Sequence, residues 1–336
     1  MRDIAIQAGL SETTVDRVLN GRGSVSVRAT RQVEQAIRDL DRQREQVRLG
    51  GRTFLVDLVM QAPDRFSGAV RAALEAELPA LRPAVIRSRF HLRQAGDVED
   101  LIAILDRIRA KGSHGVVLKA PDVPEIVEAV DRLVAAGIPV VTLVTDVPGS
   151  RRLAYVGIDN RAAGATAAYL IDSWLGERAG NVLVTLSRNE FRGEDEREMG
   201  FRAAMRQRAP RRALVELTDT DGLDETIGAL ARDALRADPD LCAVYSIGGG
   251  NLATADAFDA LGRTCRVFVA HDLDDDNRRL LRAGRVSAVL HHDLTDDVRR
   301  VCRAILQAQH ALPGAPHTLP SNIQVVTPYN VPLRLP

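Results

Sequence analysis

"LSETTVDRVLNGRG", Leu10 to Gly23, reads as a short helix that runs into a glycine-rich loop. Ser11 is placed to cap it. Val15, Val18 and Leu19 are spaced to face inward. Glu12, Thr13, Asp16, Arg17 and Asn20 follow i, i+1, i+4, i+5 and i+8, which is one polar face. "GLS" (9–11) and "NGRGSVS" (20–26) separate this helix from one on either side. In the third helix Val33, Ala36, Ile37 and Leu40 fall at i, i+3, i+4 and i+7, and Ser26 is its N-cap. Three helices in so short a stretch, with a glycine turn between the first two, have a helix-turn-helix layout. Ala5 and Ala8 keep the first helix thin where the second crosses it, and Gly9 permits the turn. In such a layout the first residues of the second helix meet base edges in a major groove. The plain alternative is a small helical cap with a solvated polar face.

Charge supports the first reading locally. The chain has 336 residues, with 45 basic and 45 acidic side chains, so the molecule as a whole is no polycation. A nucleic acid would have to be met by a patch. Residues 1–52 hold ten arginines against seven acids, a local +3, which favours phosphates through counterion release. The length predicts two or three domains. At 45% hydrophobic and 27% charged residues, disordered and fibrous classes are excluded. Cys242, Cys265 and Cys302 are scattered, so neither a zinc site nor a disulfide framework is expected. No apolar run approaches the roughly 18 residues of a membrane span. The N-terminus also lacks the apolar core of a signal peptide, and a cytoplasmic location is expected.

The rhythm changes after residues 42–52, "RQREQVRLGGR", a polar, basic stretch read as a linker that Gly50 and Gly51 end. "TFLVDLVMQ" (53–61), "AVIRSRF" (84–90), "HGVVLKAP" (114–121) and "IPVVTLVTD" (138–146) are strand-like runs separated by helical stretches. The alternation restarts beyond "LAYVGIDN" (153–160), and a last long helix spans 295–309. Runs of Val, Ile and Leu alternating with helices predict parallel sheets covered on both faces. The fold class is therefore a small all-α headpiece joined to a two-lobed α/β core of two doubly wound sheets.

The segment 3–40, "DIAIQAGLSETTVDRVLNGRGSVSVRATRQVEQAIRDL", resembles the headpiece of the LacI/GalR family of transcription regulators. The matching elements are Asp3-Ile4-Ala5, Ala8 to Ser11, Thr14-Val15, Arg17 to Asn20, Val25-Ser26, Val33 and Ala36. The rest of the chain is similar to that family's core, a type I periplasmic-binding-protein fold. The resemblance implies a headpiece at 1–41 and a hinge at 42–52. It divides the core into a first lobe of 53–159 plus 290–323 and a second of 160–289 plus 324–336. It also implies a homodimer on a pseudo-palindromic operator, a repressor in the family's default sense that answers a sugar or polyol effector. Ser11, Glu12, Thr13, Thr14, Arg17, Asn20, Arg22, Ser24 and Arg28 are the expected DNA contacts. Glu12 is the unusual one, since a carboxylate accepts from cytosine N4 and repels other partners. Two departures stand out. The family carries a few more residues before the first helix, so an earlier start is expected. Its hinge also normally has a Tyr-x-Pro-Asn stretch, which "DRQREQVRLGG" lacks. Leu49 is the only minor-groove wedge, and arginines 42, 44, 48 and 52 are expected to hold phosphates instead.

Ligands of open α/β sheets sit at the C-terminal ends of the strands. There the chain offers Asp64, Arg65, Phe66, Asp146, Asp159, Asn251, Asp272 and His292, with Arg197 ahead of Gly200-Phe201 in a helix. Carboxylates, amides and an arginine suit paired hydroxyls, and Phe66 suits an apolar ring face. The alternative for the aspartates and for His292 is a capping or structural role. "IGGGN" (247–251) lacks the third glycine of a dinucleotide loop, and "HDLDDDN" (271–277) lacks the glycine and final glutamate of a calcium loop. Neither cofactor nor metal is expected. No G-x-S-x-G, HExxH or P-loop is present, so an α/β enzyme is the weaker rival. The other is a solute-binding protein with no role on DNA. Arg17→Ala is expected to abolish sequence-specific DNA binding while leaving effector binding intact; unchanged operator affinity in a gel-shift titration would refute the headpiece assignment.

Overall fold

The structure, a computed structural model, describes residues 1–22, 25–49, 52–81, 84–94, 96–187, 191–220, 224–318 and 320–332, with backbone alone at 42–49 and 218–220. Ser24, Gly50 and Gly51 lie outside the described residues, as do the side chains of Arg42, Arg44, Arg48 and Leu49.

The headpiece consists of α1 (Arg2–Ala8), α2 (Glu12–Leu19) and α3 (Val27–Leu49). Gly9 ends α1 at φ 65°, a left-handed conformation that costs glycine nothing. Ser11 Oγ accepts from the Thr14 amide at 3.2 Å, and Ser26 Oγ from that of Ala29 at 3.2 Å, so both expected N-caps form. Ala5, Val15 and Val33, one from each helix, make the small core, with Ala8, Val18 and Ile37 packed around it. Leu19 does not join them; it is 46% exposed, because a stripe centred on Val15 places it at the outer edge. The linker reading also needs correction. Residues 42–49 continue α3 without a break. The reason is local: Asp41 to Leu49 contains no glycine or proline, and Arg, Gln, Glu and Leu are good helix formers.

The first lobe is a five-stranded sheet of β1 (Thr53–Gln61), β2 (Val85–Arg93), β3 (Gly115–Lys119), β4 (Val140–Leu143) and β5 (Ala154–Val156). Its order is β2-β1-β3-β4-β5, parallel throughout. The connections are α4 (Asp64–Glu77), α5 (Val98–Lys111) and α6 (Pro124–Ala135). The second lobe opens with α7 (Asn160–Leu175). Its sheet contains β6 (Asn181–Ser187), β7 (Leu214–Thr220), β8 (Leu241–Ser246), β9 (Val267–His271), β10 (Ala288–His291) and β11 (Gln324–Val326). Their order is β11-β10-β9-β8-β6-β7, and only β11 runs antiparallel. The helices α8 (Arg192–Arg208), α9 (Asp224–Ala237), α10 (Asn251–Ala260) and α11 (Asp275–Arg282) cover it. The last helix, α12 (Leu294–Ala308), returns to pack on α4 of the first lobe. The chain therefore crosses between lobes near 157–160, 291–294 and 320–323. The second crossing follows His291 rather than Val289, because β10 pairs with β9 through Leu290.

Each sheet is buried on both faces, as the unbroken apolar runs require. Phe54, Val56, Leu58 and Met60 of β1 point toward α4 and α12, whereas Val59 joins α5 and α6. Helices α7 and α8 approach closely enough that a Cβ on Gly164 would overlap the Arg197 carbonyl, and one on Gly200 the Arg161 carbonyl. Neither neighbour is a flexible side chain that gives way. Gly164→Ala is accordingly expected to destabilise by about 1–3 kcal/mol, read as a lowered urea midpoint with an unchanged slope.

Candidate functional site: a helix face and an interlobe cleft

On the headpiece, Ser11, Glu12, Thr13, Arg17, Asn20, Arg22 and Arg28 are all exposed, and Thr14 is half-buried with its hydroxyl 2.9 Å from Ser11 Oγ. Asp16 is not spare negative charge on this face. Its Oδ1 accepts from Asn20 Nδ2 at 2.7 Å, which fixes the Asn20 amide one turn away.

A cavity lies between the lobes and is lined by side chains of both. The first lobe contributes Arg65, Phe66, Lys119 and Thr145 to its lining, and the second Phe191, Glu194, Arg197, His271, Asp272 and Asp274. Several contacts span the gap. Arg65 Nε lies 2.7 Å from Asp274 Oδ2, Thr145 Oγ1 accepts from the Gly193 amide at 3.0 Å, and Arg192 Nη1 reaches Asp122 Oδ2 at 3.4 Å. Lys119 Nζ donates to the Gln61 carbonyl at 3.0 Å and stands 3.5 Å from the centroid of the Phe191 ring, a cation–π contact between lobes. The cleft is thus closed.

Arg197 is 4% exposed; its Nε donates to Asn160 Oδ1 at 2.8 Å. Asn160 opens α7, so the close α7–α8 packing places this cation. Burial pulls the Lys119 ammonium down to about 8; Glu194 and Asp272 oppose the shift and Arg197 adds to it. Burial raises Asp274, against the Asn277 amide and Arg65. Asp272 follows β9 at φ 64°, a left-handed conformation uncommon outside glycine, and its Oδ1 is buried without a hydrogen-bond partner among the described residues.

Of the residues expected from sequence, Arg65, Phe66, Arg197 and Asp272 line the cavity. The others lie elsewhere. Asp64 is exposed on the first turn of α4. Asp146 is clasped by both Arg152 nitrogens and by Thr142 Oγ1, which ties down a first-lobe loop. Asp159 caps α7 through the Ala162 amide. Asn251 is buried beneath the site; its Nδ2 donates to Asn277 Oδ1, and Asn277 in turn donates to the His271 and Asp272 carbonyls. His292 stands behind Asp272, with Nε2 3.8 Å from Asp272 Oδ1 and Nδ1 on Asp297 Oδ2. Sequence reading passed over Lys119, Thr145, Phe191, Glu194, His271 and Asp274. Lys119 and His271 are the last residues of "GVVLK" and "VFVAH", so strand ends alone would have found them. Phe191 and Glu194 arrive from a loop and a first helical turn, where no such signal exists.

A DNA-reading headpiece fused to a closed two-lobed binding core defines the ligand-responsive DNA-binding regulators. Comparison with known families agrees. Residues 58–309 match the periplasmic binding protein domain, and residues 1–43 match the bacterial regulatory proteins of the lacI family. The chain belongs to the periplasmic-binding-protein family of cores and, through its headpiece, to the LacI-family regulators. No curated protein matches it. Among solved structures, the fold is shared with GanP, a glucose-galactose binding protein from Geobacillus stearothermophilus (20% identity, 84% of this chain and 100% of that one, TM-score 0.74). It is shared with a Bacteroides fragilis protein assigned to the LacI transcriptional regulators (18%, 83% and 97%, 0.73). A Burkholderia graminis solute binding protein in complex with D-arabinose has it too (20%, 84% and 97%, 0.73). Among the described residues no helix is long and apolar enough to cross a membrane.

Lys119 makes stability depend on pH. Its proton is held less tightly in the fold, at about 8, than at the ordinary 10.5. Between those values the unfolded chain binds more protons, so stability rises with pH. Wild type is expected to gain up to about 3 kcal/mol across this window relative to Lys119→Met; parallel urea titrations at pH 7.5 and 10 with equal differences would contradict it.

Proposed function

We propose that the cleft binds a monosaccharide-sized polyhydroxy effector, and that its occupancy sets the affinity of a dimeric regulator for a pseudo-palindromic operator. The closed cavity carries this reading: three carboxylates, two buried cations and the Phe66 ring converge on it from both lobes. Both signs of charge are present, which suits a neutral ligand rich in donors and acceptors. The Phe66 ring suits the apolar face of a sugar. The names of the similar structures support the class, since they include a glucose-galactose binding protein and complexes with D-arabinose and D-allose.

A ligand held by groups from both lobes favours the closed arrangement, and the headpieces transmit that preference to DNA. Linkage makes the effect reciprocal, so DNA alters effector affinity by the same factor. Two headpieces on one operator require a twofold dimer. We read the protein as a cytoplasmic repressor without catalytic activity, in keeping with two families named for regulation and binding. Ser11, Glu12, Thr13, Arg17, Asn20, Arg22 and Arg28 are the proposed DNA face.

Screening aldopentoses and aldohexoses for a rise in melting temperature identifies the effector, since a ligand at 100 times its Kd adds about 2.7 kcal/mol. Arg197→Ala and Asp272→Ala are each expected to abolish that rise and the effector's influence on operator binding while leaving operator binding itself. Wild-type sugar affinity in either variant by calorimetry would sink the site.

A further inference from the structure

Two residues of the second lobe share a buried hydrogen bond that the effector reading leaves unused. Tyr245 on β8 is fully buried, and its Oη lies 2.9 Å from His271 Nε2 on β9. The phenol ring stacks on Phe201 of α8 with centroids 4.4 Å apart. Among the described residues, His271 Nε2 is the one hydrogen-bond partner of Tyr245 Oη, while His271 Nδ1 is buried with none.

The proton positions follow from that inventory. A phenol has one hydrogen to donate, and burial raises the pKa of Tyr245 above the ordinary phenol value, so it keeps this hydrogen at neutral pH. The acceptor at hand is Nε2. Burial, with Arg197 and His292 adding to it, holds His271 well below the usual histidine range, so the ring is neutral. A neutral imidazole that accepts at Nε2 carries its hydrogen on Nδ1. His271 Nδ1–H is then a buried donor with no acceptor among the described residues, a costly arrangement unless a bound molecule completes it.

The neighbouring residue presents the complementary lack. Successive strand residues face opposite sides, yet both His271 and Asp272 line the cavity, because Asp272 leaves the strand at φ 64°. Among the described residues Asp272 Oδ1 is buried without a hydrogen-bond partner, with His292 Nε2 3.8 Å away. We propose that Tyr245 and His271 form a donor relay of the effector site: Tyr245 O–H donates to His271 Nε2, and His271 Nδ1–H donates to a ligand hydroxyl oxygen whose own hydrogen goes to Asp272 Oδ1. His271 is the specificity-determining residue and Tyr245 positions it. A carbonyl or ether oxygen would leave Asp272 bare, and an ammonium group would oppose Nδ1–H, so the pair selects a hydroxyl. For the ligand's class this rests on the sugar reading above.

Two measurements on the full-length chain test it. Histidine-selective nitrogen-15 labelling with two-bond proton–nitrogen correlation reports each tautomer, and His271 is assigned by its loss in His271→Gln. Wild type is expected to show Nδ1–H, and Tyr245→Phe to lose that preference; Nε2–H in wild type overturns the relay. Calorimetry then uses whichever of D-galactose, D-arabinose and D-allose most raises the melting temperature. His271→Phe is expected to weaken its binding at least tenfold and Tyr245→Phe several-fold, with both variants melting cooperatively; wild-type affinity in His271→Phe overturns the proposal. Should wild type bind none of the three, the sugar reading fails, and the tautomer spectrum still decides between Nδ1–H and Nε2–H.

Discussion

The buried Asp297 carboxylate, at the start of α12, ties the lobe crossings together. One oxygen takes the His292 Nδ1 hydrogen at the second crossing, and the other takes the Ser321 hydroxyl at the third. Ser321 also donates its amide to the Gly157 carbonyl at 2.8 Å, which brings in the first crossing. Burial would raise the Asp297 carboxyl, but the bonds from His292 and Ser321 and the nearby Arg300 outweigh it and hold the group below the ordinary range. An unpaired charge here would be expensive. The three chain crossings are therefore fixed relative to each other, and the cleft lies where they leave the sheets. His292 joins this hinge to the site, since its other nitrogen faces Asp272.

The cleft is held shut by contacts of modest individual strength. Arg65–Asp274 is partly solvated, and Arg192–Asp122 is long; pairs of this kind contribute on the order of 0–1 kcal/mol. Closure is consequently a weak preference that a ligand touching both lobes is able to dominate. Lys119 carries a heavier cost. It is a buried ammonium whose stabilising neighbours, Glu194 and Asp272, come from the opposite lobe, so its charge is best satisfied only when the lobes meet.

The headpiece has a much smaller core, Ala5, Val15 and Val33, and owes its shape to local devices: a left-handed Gly9 and the Ser11 and Ser26 caps. Such devices are short in range, and so they were legible in the chain. The extent of α3 was less so. The basic residues from Arg42 to Arg48 signalled solvent exposure, which a surface helix and a linker share.

Sequence alone determined the element types and the headpiece, because apolar periodicity, caps and glycine turns act within a few residues. It also located the site in general terms, since polar residues at strand ends converge in any open parallel sheet. The tertiary structure decided which of them meet. Asp146 and Asp159 occupy equally suitable strand ends, yet Arg152 and the α7 N-terminus take them, and both partners are identified only once the loops are folded. Phe191 and Glu194 reach the cavity because glycines 164 and 200 let α7 and α8 close together, a contact between segments about 35 residues apart in sequence. The Tyr245–His271 contact is further still from the sequence: it depends on Tyr245 standing on the adjacent parallel strand, 26 residues earlier, with no other hydrogen-bond partner for its hydroxyl among the described residues.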